Sequence, residues 1–140
     1  MSMHLFIHAE SEFLSVSVTG KFSSKAAEAN FLQIMEACAR HKAKKIVIDG
    51  RDVKGSPDTI QRFLYGKFVA QAVAHYTRSH GVRHFLQFAY VLHEPLLDPR
   101  RFGETVAVNR GMWVKAFDNL LEAIAWLTLQ RADSAIGHAD

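Results

Sequence analysis

The run Lys45-Ile46-Val47-Ile48-Asp49-Gly50-Arg51 constrains the fold of this chain more than any other stretch. Consecutive apolar β-formers are bounded by lysines on one side and Asp-Gly on the other. A strand must bury both faces to tolerate such a run, which places it in the middle of an α/β sheet. Asp52 to Thr59 then reads as a polar loop that opens a helix at Ser56-Pro57. Ligands in open α/β sheets collect just outside the carboxyl ends of such strands.

The flanking segments supply the rest of the sheet. His4 to His8 alternates weakly and Phe13 to Thr19 more cleanly, with Leu14, Val16 and Val18 on one face. The short polar link Glu10-Ser11-Glu12 makes the two an antiparallel hairpin. Ser23 or Ser24 caps a helix over Lys25 to His41, whose buried stripe is Ala27, Phe31, Ile34 and Cys38. A second helix runs from about Pro57 to His80, with Ser56 as cap, Pro57 in the first turn and Asp58 facing the dipole. Its apolar face is wide, with Ile60, Phe63, Leu64, Phe68, Val69, Ala72, Val73 and Tyr76. Phe85 to Leu92 is a second strong strand, ended by His93-Glu94-Pro95. Asp98-Pro99 opens a third helix to about Asn109, Met112 to Phe117 is a short strand, and Asn119 with Glu122 caps the last helix. The order predicts an α/β fold: a mixed β-sheet with an N-terminal antiparallel hairpin, parallel βαβ crossovers and about four helices. A single domain is expected over 1–131, with 132–140 as a flexible C-terminal tail.

Composition narrows the function classes. The net charge of +3 gathers at Arg40-His41-Lys42-Ala43-Lys44-Lys45 and Pro99-Arg100-Arg101. The first cluster ends a helix, where cations meet the negative end of the macrodipole. No reading motif accompanies it, so no nucleic-acid partner is expected. Cys38 is the only cysteine, which leaves no intramolecular disulfide. No apolar run approaches the ~20 residues of a membrane span, and no basic-then-apolar leader opens the chain. A cytoplasmic protein is expected.

The run Phe102-Gly103-Glu104-Thr105-Val106-Ala107-Val108-Asn109-Arg110-Gly111-Met112-Trp113-Val114-Lys115-Ala116-Phe117, followed by Glu122-Ala123-Ile124-Ala125-Trp126-Leu127, resembles the bacterial, mostly uncharacterised SpoIIAA-like proteins of the STAS superfamily. The likeness rests on a strand ending Val-x-x-Phe and a helix containing Glu-Ala-x-x-Trp-Leu. The upstream order fits too, and the resemblance covers roughly residues 5 to 128. It implies a non-catalytic regulatory or partner-binding module of anti-sigma-factor-antagonist type; self-association as a homodimer, through an exposed sheet edge or helix face, is a separate expectation. Switching members are phosphorylated at the start of the second helix, which corresponds here to Ser56, with Thr59 nearby. This chain departs from their Asp-Ser-Ser/Thr-Gly motif with Lys54-Gly55-Ser56-Pro57-Asp58-Thr59. A more distant likeness to CRAL-TRIO lipid-transfer domains implies an apolar small molecule as ligand. It would be held among Phe63, Tyr65, Phe68, Tyr76, Phe85, Phe88, Tyr90 and Trp113.

Two constellations bear on chemistry. His75, His80 and His84 straddle Gly81; a shared helix face is lost there, so neither a metal site nor a cofactor is assigned. Asp49, Arg51 and Asp52 should meet His93 and Glu94 if the two strong strands are neighbours. A carboxylate beside a histidine is raw material for acid–base catalysis, but no nucleophile or phosphate loop accompanies it. The edge is read first as a ligand or partner surface, with an enzyme using Asp49 and His93 as the second alternative after the apolar-ligand carrier.

Overall fold

The computed structural model describes residues 3–81 and 85–137. Strands β1 (Met3–Ala9), β2 (Leu14–Lys21), β3 (Lys45–Lys54), β4 (Gln87–Val91) and β5 (Trp113–Phe117) form one sheet in sequence order. β1 and β2 are antiparallel and every later pair is parallel. Helices α1 (Ser24–His41), α2 (Thr59–His80) and α3 (Phe102–Asn109) are the crossovers, and α4 (Leu120–Gly137) follows the last strand. Because the strands advance in one direction, right-handed crossovers put α1, α2 and α3 side by side on one face. Helix α4 is left to cover the other, where it packs on β3, β4 and β5.

The apolar run of β3 is divided between these layers, as its both-faces burial requires. Ile46 and Ile48 join Leu14, Val16, Phe31 and Phe88 under α1 and α2. Val47 joins Ala89, Val91, Phe117, Ala123 and Leu127 beneath α4. Each valine, leucine, isoleucine or phenylalanine among them, fully buried, contributes about 1.5–3 kcal/mol, and each alanine less. Cys38 lies in the larger core, where burial pushes its thiol up to about 12, so it behaves as an inert apolar side chain.

The structure corrects several boundaries. β3 does not stop at Arg51: it runs on to Lys54 because β2 also runs on, pairing Thr19 with Asp52 and Lys21 with Lys54. One residue of β2, Val18, stands opposite Gly50 and Arg51. The extra residue is a bulge, a place where glycine in a strand is expected. Asp52 therefore lies in a strand and not in a loop. α2 begins at Thr59, and its cap is Asp58, not Ser56. The Asp58 carboxylate accepts the Gln61 backbone N–H at 2.7 Å, and the Gln61 side-chain carbonyl accepts the Asp58 N–H at 2.9 Å. That reciprocal box outcompetes Ser56, whose residue three places on is Thr59 and cannot reciprocate. Ile60 and Leu64 fall off the buried stripe, which is Gly66, Val69, Ala70, Val73 and Tyr76. α3 begins at Phe102 because the Asp98 carboxylate first ties the Arg100 and Phe102 amides into a turn. α4 continues past Arg131 to Gly137.

Gly66 fixes how closely α2 and α3 approach. A Cβ there would stand 2.6 Å from the Gly103 carbonyl oxygen and 3.2 Å from Val106 Cβ. Gly66→Ala should therefore destabilise the fold by about 1–3 kcal/mol despite alanine's better helix propensity. Denaturant midpoints would measure this, and a variant as stable as the parent would contradict so close a helix contact.

Candidate ligand cavity and sheet-edge surface

β3 and β4 stay paired only as far as Asp49 and Val91. Beyond that point β3 follows β2, while the chain after β4 turns away toward α3. The divergence lies beneath the first turns of α2, and an apolar cavity of about 170 Å³ occupies it. Ile48, Gly50 and Val53 of β3, Tyr65 and Val69 of α2, and Tyr90 of β4 contribute to its walls. Leu92, Leu96 and Leu97 of the β4–α3 segment line it as well. The segment is held by Arg62 on α2, whose guanidinium donates to the Pro95 and Leu96 carbonyls, each at 2.8 Å. At the far side, Arg101 donates to the Ala116 carbonyl at 2.6 Å and Glu104 accepts the Ala116 N–H at 3.0 Å. These two side chains join α3 to edge strand β5 and occupy backbone groups that would otherwise invite another strand.

The cavity contains a polar pair. The Tyr65 and Tyr90 hydroxyls lie 2.7 Å apart, with the rings edge to face. Burial pushes the Tyr65 hydroxyl up to about 12, against a smaller opposing effect of its bond to Tyr90. Burial, together with the proximity of Tyr65, raises Tyr90 as well. Both hydroxyls are therefore protonated at neutral pH.

The predicted edge residues are brought together in part. Asp49 and Arg51 lie on either side of the bulge residue Gly50 and form a two-pronged pair: Arg51 Nε donates to Oδ1 at 2.9 Å and Nη2 to Oδ2 at 2.8 Å. Partial burial raises the Asp49 pKa, but the bonds and charge of Arg51, with the nearby charge of His93, outweigh it and pull the carboxyl below its ordinary range. A carboxylate so engaged is a weaker base, the opposite of what acid–base catalysis asks of it. His93, Glu94 and Asp52 are exposed. Asp52 acts on Arg51 through charge. Ser56 and Thr59 are exposed too, Thr59 as the first residue of α2.

Of the aromatic residues expected around an apolar ligand, Tyr65 and Tyr90 line the cavity. Phe88 packs on Phe31 in the core, Tyr76 stacks on His80, and Phe85 and Trp113 join Trp126 of α4 on the other face. Among the described residues no group of His, Cys, Asp and Glu could hold a metal ion, and His84 lies outside them. No helix of the described residues is long and apolar enough to cross a membrane. Arg62 and Asn30, both at the cavity, had not been singled out in the sequence. Neither belongs to a motif.

All of the tyrosines, Tyr65, Tyr76 and Tyr90, have raised pKa values, with burial as the first cause in each. Neutral tyrosine is thus favoured by the fold, which gains stability below the unfolded value of about 10 and loses it as pH rises through the folded values. Spectrophotometric titration should show Tyr65 and Tyr90 still un-ionised at pH ~10 in the native protein, with at most one tyrosine titrating there, and normal ionisation of all three in denaturant. Native absorbance rising by more than one tyrosine's worth at pH ~10 would contradict the burial of the Tyr65–Tyr90 pair. Asp49 and Asp98 act at the other end of the scale. The Phe102 amide, offset by burial, and then the Arg100 amide lower Asp98. Both carboxylates favour the fold above the unfolded pKa of about 3.9, and that contribution is lost as pH falls through their lower folded values.

No protein-family model and no curated protein sequence matches the chain. Solved structures do. An anti-sigma factor antagonist from Mycobacterium paratuberculosis superposes with a TM-score of 0.58 at 18% identity, covering 91% of this chain and 95% of that one. A protein of the DUF3478 family with a SpoIIAA-like fold, from Shewanella loihica, gives a TM-score of 0.48 at 16% identity, covering 89% and 93%. The chain has the SpoIIAA/STAS-like α/β fold.

Proposed function

We propose that this protein is a non-catalytic regulatory module that docks a protein partner on the outer side of the first turns of α2. The observation that carries this reading is the exposure of Ile60 and Leu64, 69% and 49% accessible on successive turns of one helix side. Ser56 and Thr59 are exposed beside them, and Arg62 on the same turns holds the segment that follows His93 and Glu94. A polar-rimmed apolar ridge is the usual form of a protein contact site. Its similarity in fold to an anti-sigma factor antagonist agrees with such a role. Since Asp58 is the cap, phosphate on Ser56 or Thr59 would leave the capping box in place. It would add up to about two negative charges beside the ridge, at the positive end of the helix dipole.

The test is site-specific photo-crosslinking in the native host. A photoreactive residue at Leu64 should capture one discrete protein, and Ile60→Asp should abolish the adduct. Leu121 on α4 is the control: it is 77% exposed and belongs to the helix on the opposite face. The same adducts from Leu64 and Leu121, or none from Leu64, would count against docking on α2.

The cavity supports a second reading, a small apolar molecule bound beneath the same turns. Its volume of about 170 Å³ and its mainly apolar walls carry that reading. A cavity of about 150 Å³ with apolar walls suffices to take up benzene.

A further inference from the structure

The donors and acceptors around the cavity do not balance. Two tyrosine hydroxyls bring two protons, and their mutual hydrogen bond at 2.7 Å uses one. The other has no acceptor among the described residues. Asn30 also lines the cavity, and its Nδ2 is buried without a hydrogen-bond partner there. Three acceptor side chains at the wall are engaged, and the Asn30 side-chain carbonyl, which accepts no bond among the described residues, does not reach either tyrosine hydroxyl. Gln61 Oε1 takes the Asp58 N–H, Asp98 takes the Arg100 and Phe102 amides, and Glu104 takes the Ala116 N–H. The Arg62 guanidinium is committed to the Pro95 and Leu96 carbonyls. Surplus donors in an apolar space are costly unless something brings an acceptor.

We propose that the cavity takes a ring-sized apolar molecule bearing one carbonyl acceptor, which the Tyr65–Tyr90 hydroxyl pair recognises through its spare proton. This rests on the apolar-ligand reading above and adds the chemical class of the ligand. The pair suits the task because either hydroxyl can be the internal donor, so the spare proton is presented from whichever side the carbonyl reaches. Edge-to-face packing of the two rings holds both oxygens in place without a charged group. A hydroxyl that must find an acceptor discriminates against a ligand lacking one, because binding that ligand leaves the proton buried and unpaired.

Acetophenone and ethylbenzene are matched in shape and differ in the carbonyl, which makes them the probes. Calorimetric or NMR titration of the wild-type protein should give acetophenone the tighter binding by about 5- to 10-fold. In Tyr65→Phe/Tyr90→Phe the preference should vanish or reverse while ethylbenzene still binds. Tyr90→Phe alone leaves Tyr65 with an uncommitted proton and should keep the preference. Equal binding of both probes by the wild-type protein would overturn the recognition proposed here and leave the apolar-ligand reading standing. So would a preference that survives the double substitution. Binding of neither probe up to its solubility limit would remove both. The wild-type comparison alone is decisive should the double variant fail to fold.

Discussion

Burial of β3 on both faces is the constraint on which the rest of the structure depends. Ile46 and Ile48 require a layer on one side and Val47 requires one on the other. The chain meets both demands by sending its crossovers, α1, α2 and α3, to one face and reserving α4 for the second. With a strand order that never reverses, no other assignment keeps every connection short and right-handed.

The bulge at Gly50 gives that frame its asymmetry. Upstream of it, β3 is paired on both sides; downstream, it keeps β2 and parts from β4. Space opens at the parting, and the chain fills its rim with polar links and leaves its interior apolar around the Tyr65–Tyr90 hydroxyl pair. Arg62 holds the β4–α3 segment, Asp49 holds Arg51, and Asp58 with Gln61 fixes the start of α2. The same first turns of α2 thus have two environments. Gln61, Arg62 and Tyr65 contribute to the cavity wall, while Thr59, Ile60 and Leu64 meet solvent. An exposed apolar ridge and an apolar interior share one short piece of helix.

Element order and sheet class were legible in the sequence because they follow from strong periodicity: the apolar run of β3, the alternation of Leu14, Val16 and Val18, and the stripe of α1. Local competition was harder to read. Ser56 and Asp58 are both good caps, and the choice turned on Gln61, a reciprocating partner three residues on. Asp52 looked like the start of a loop and lies in β3 beyond a bulge at Gly50, since the deciding fact was how far β2 continued alongside. Gly66 carried a signal that could have been used, for a lone glycine inside a helix often marks close packing. The candidate site was the least legible part. Asp49, Arg51 and His93 do converge, but the cavity depends on where strands part and on Arg62, Leu96 and Leu97, which no spacing rule connects. The aromatics divide between two faces by strand alternation, so Tyr90 reaches the cavity while Trp113 lies against α4.

The central claim is that an apolar space open to small molecules lies between β3, β4 and α2. A crystal structure under xenon pressure tests it most directly, because xenon enters dry apolar cavities and ignores polar clefts. The account predicts a xenon atom among Ile48, Val69 and the Tyr65–Tyr90 pair. Those side chains in mutual contact, with no xenon between them, would contradict it.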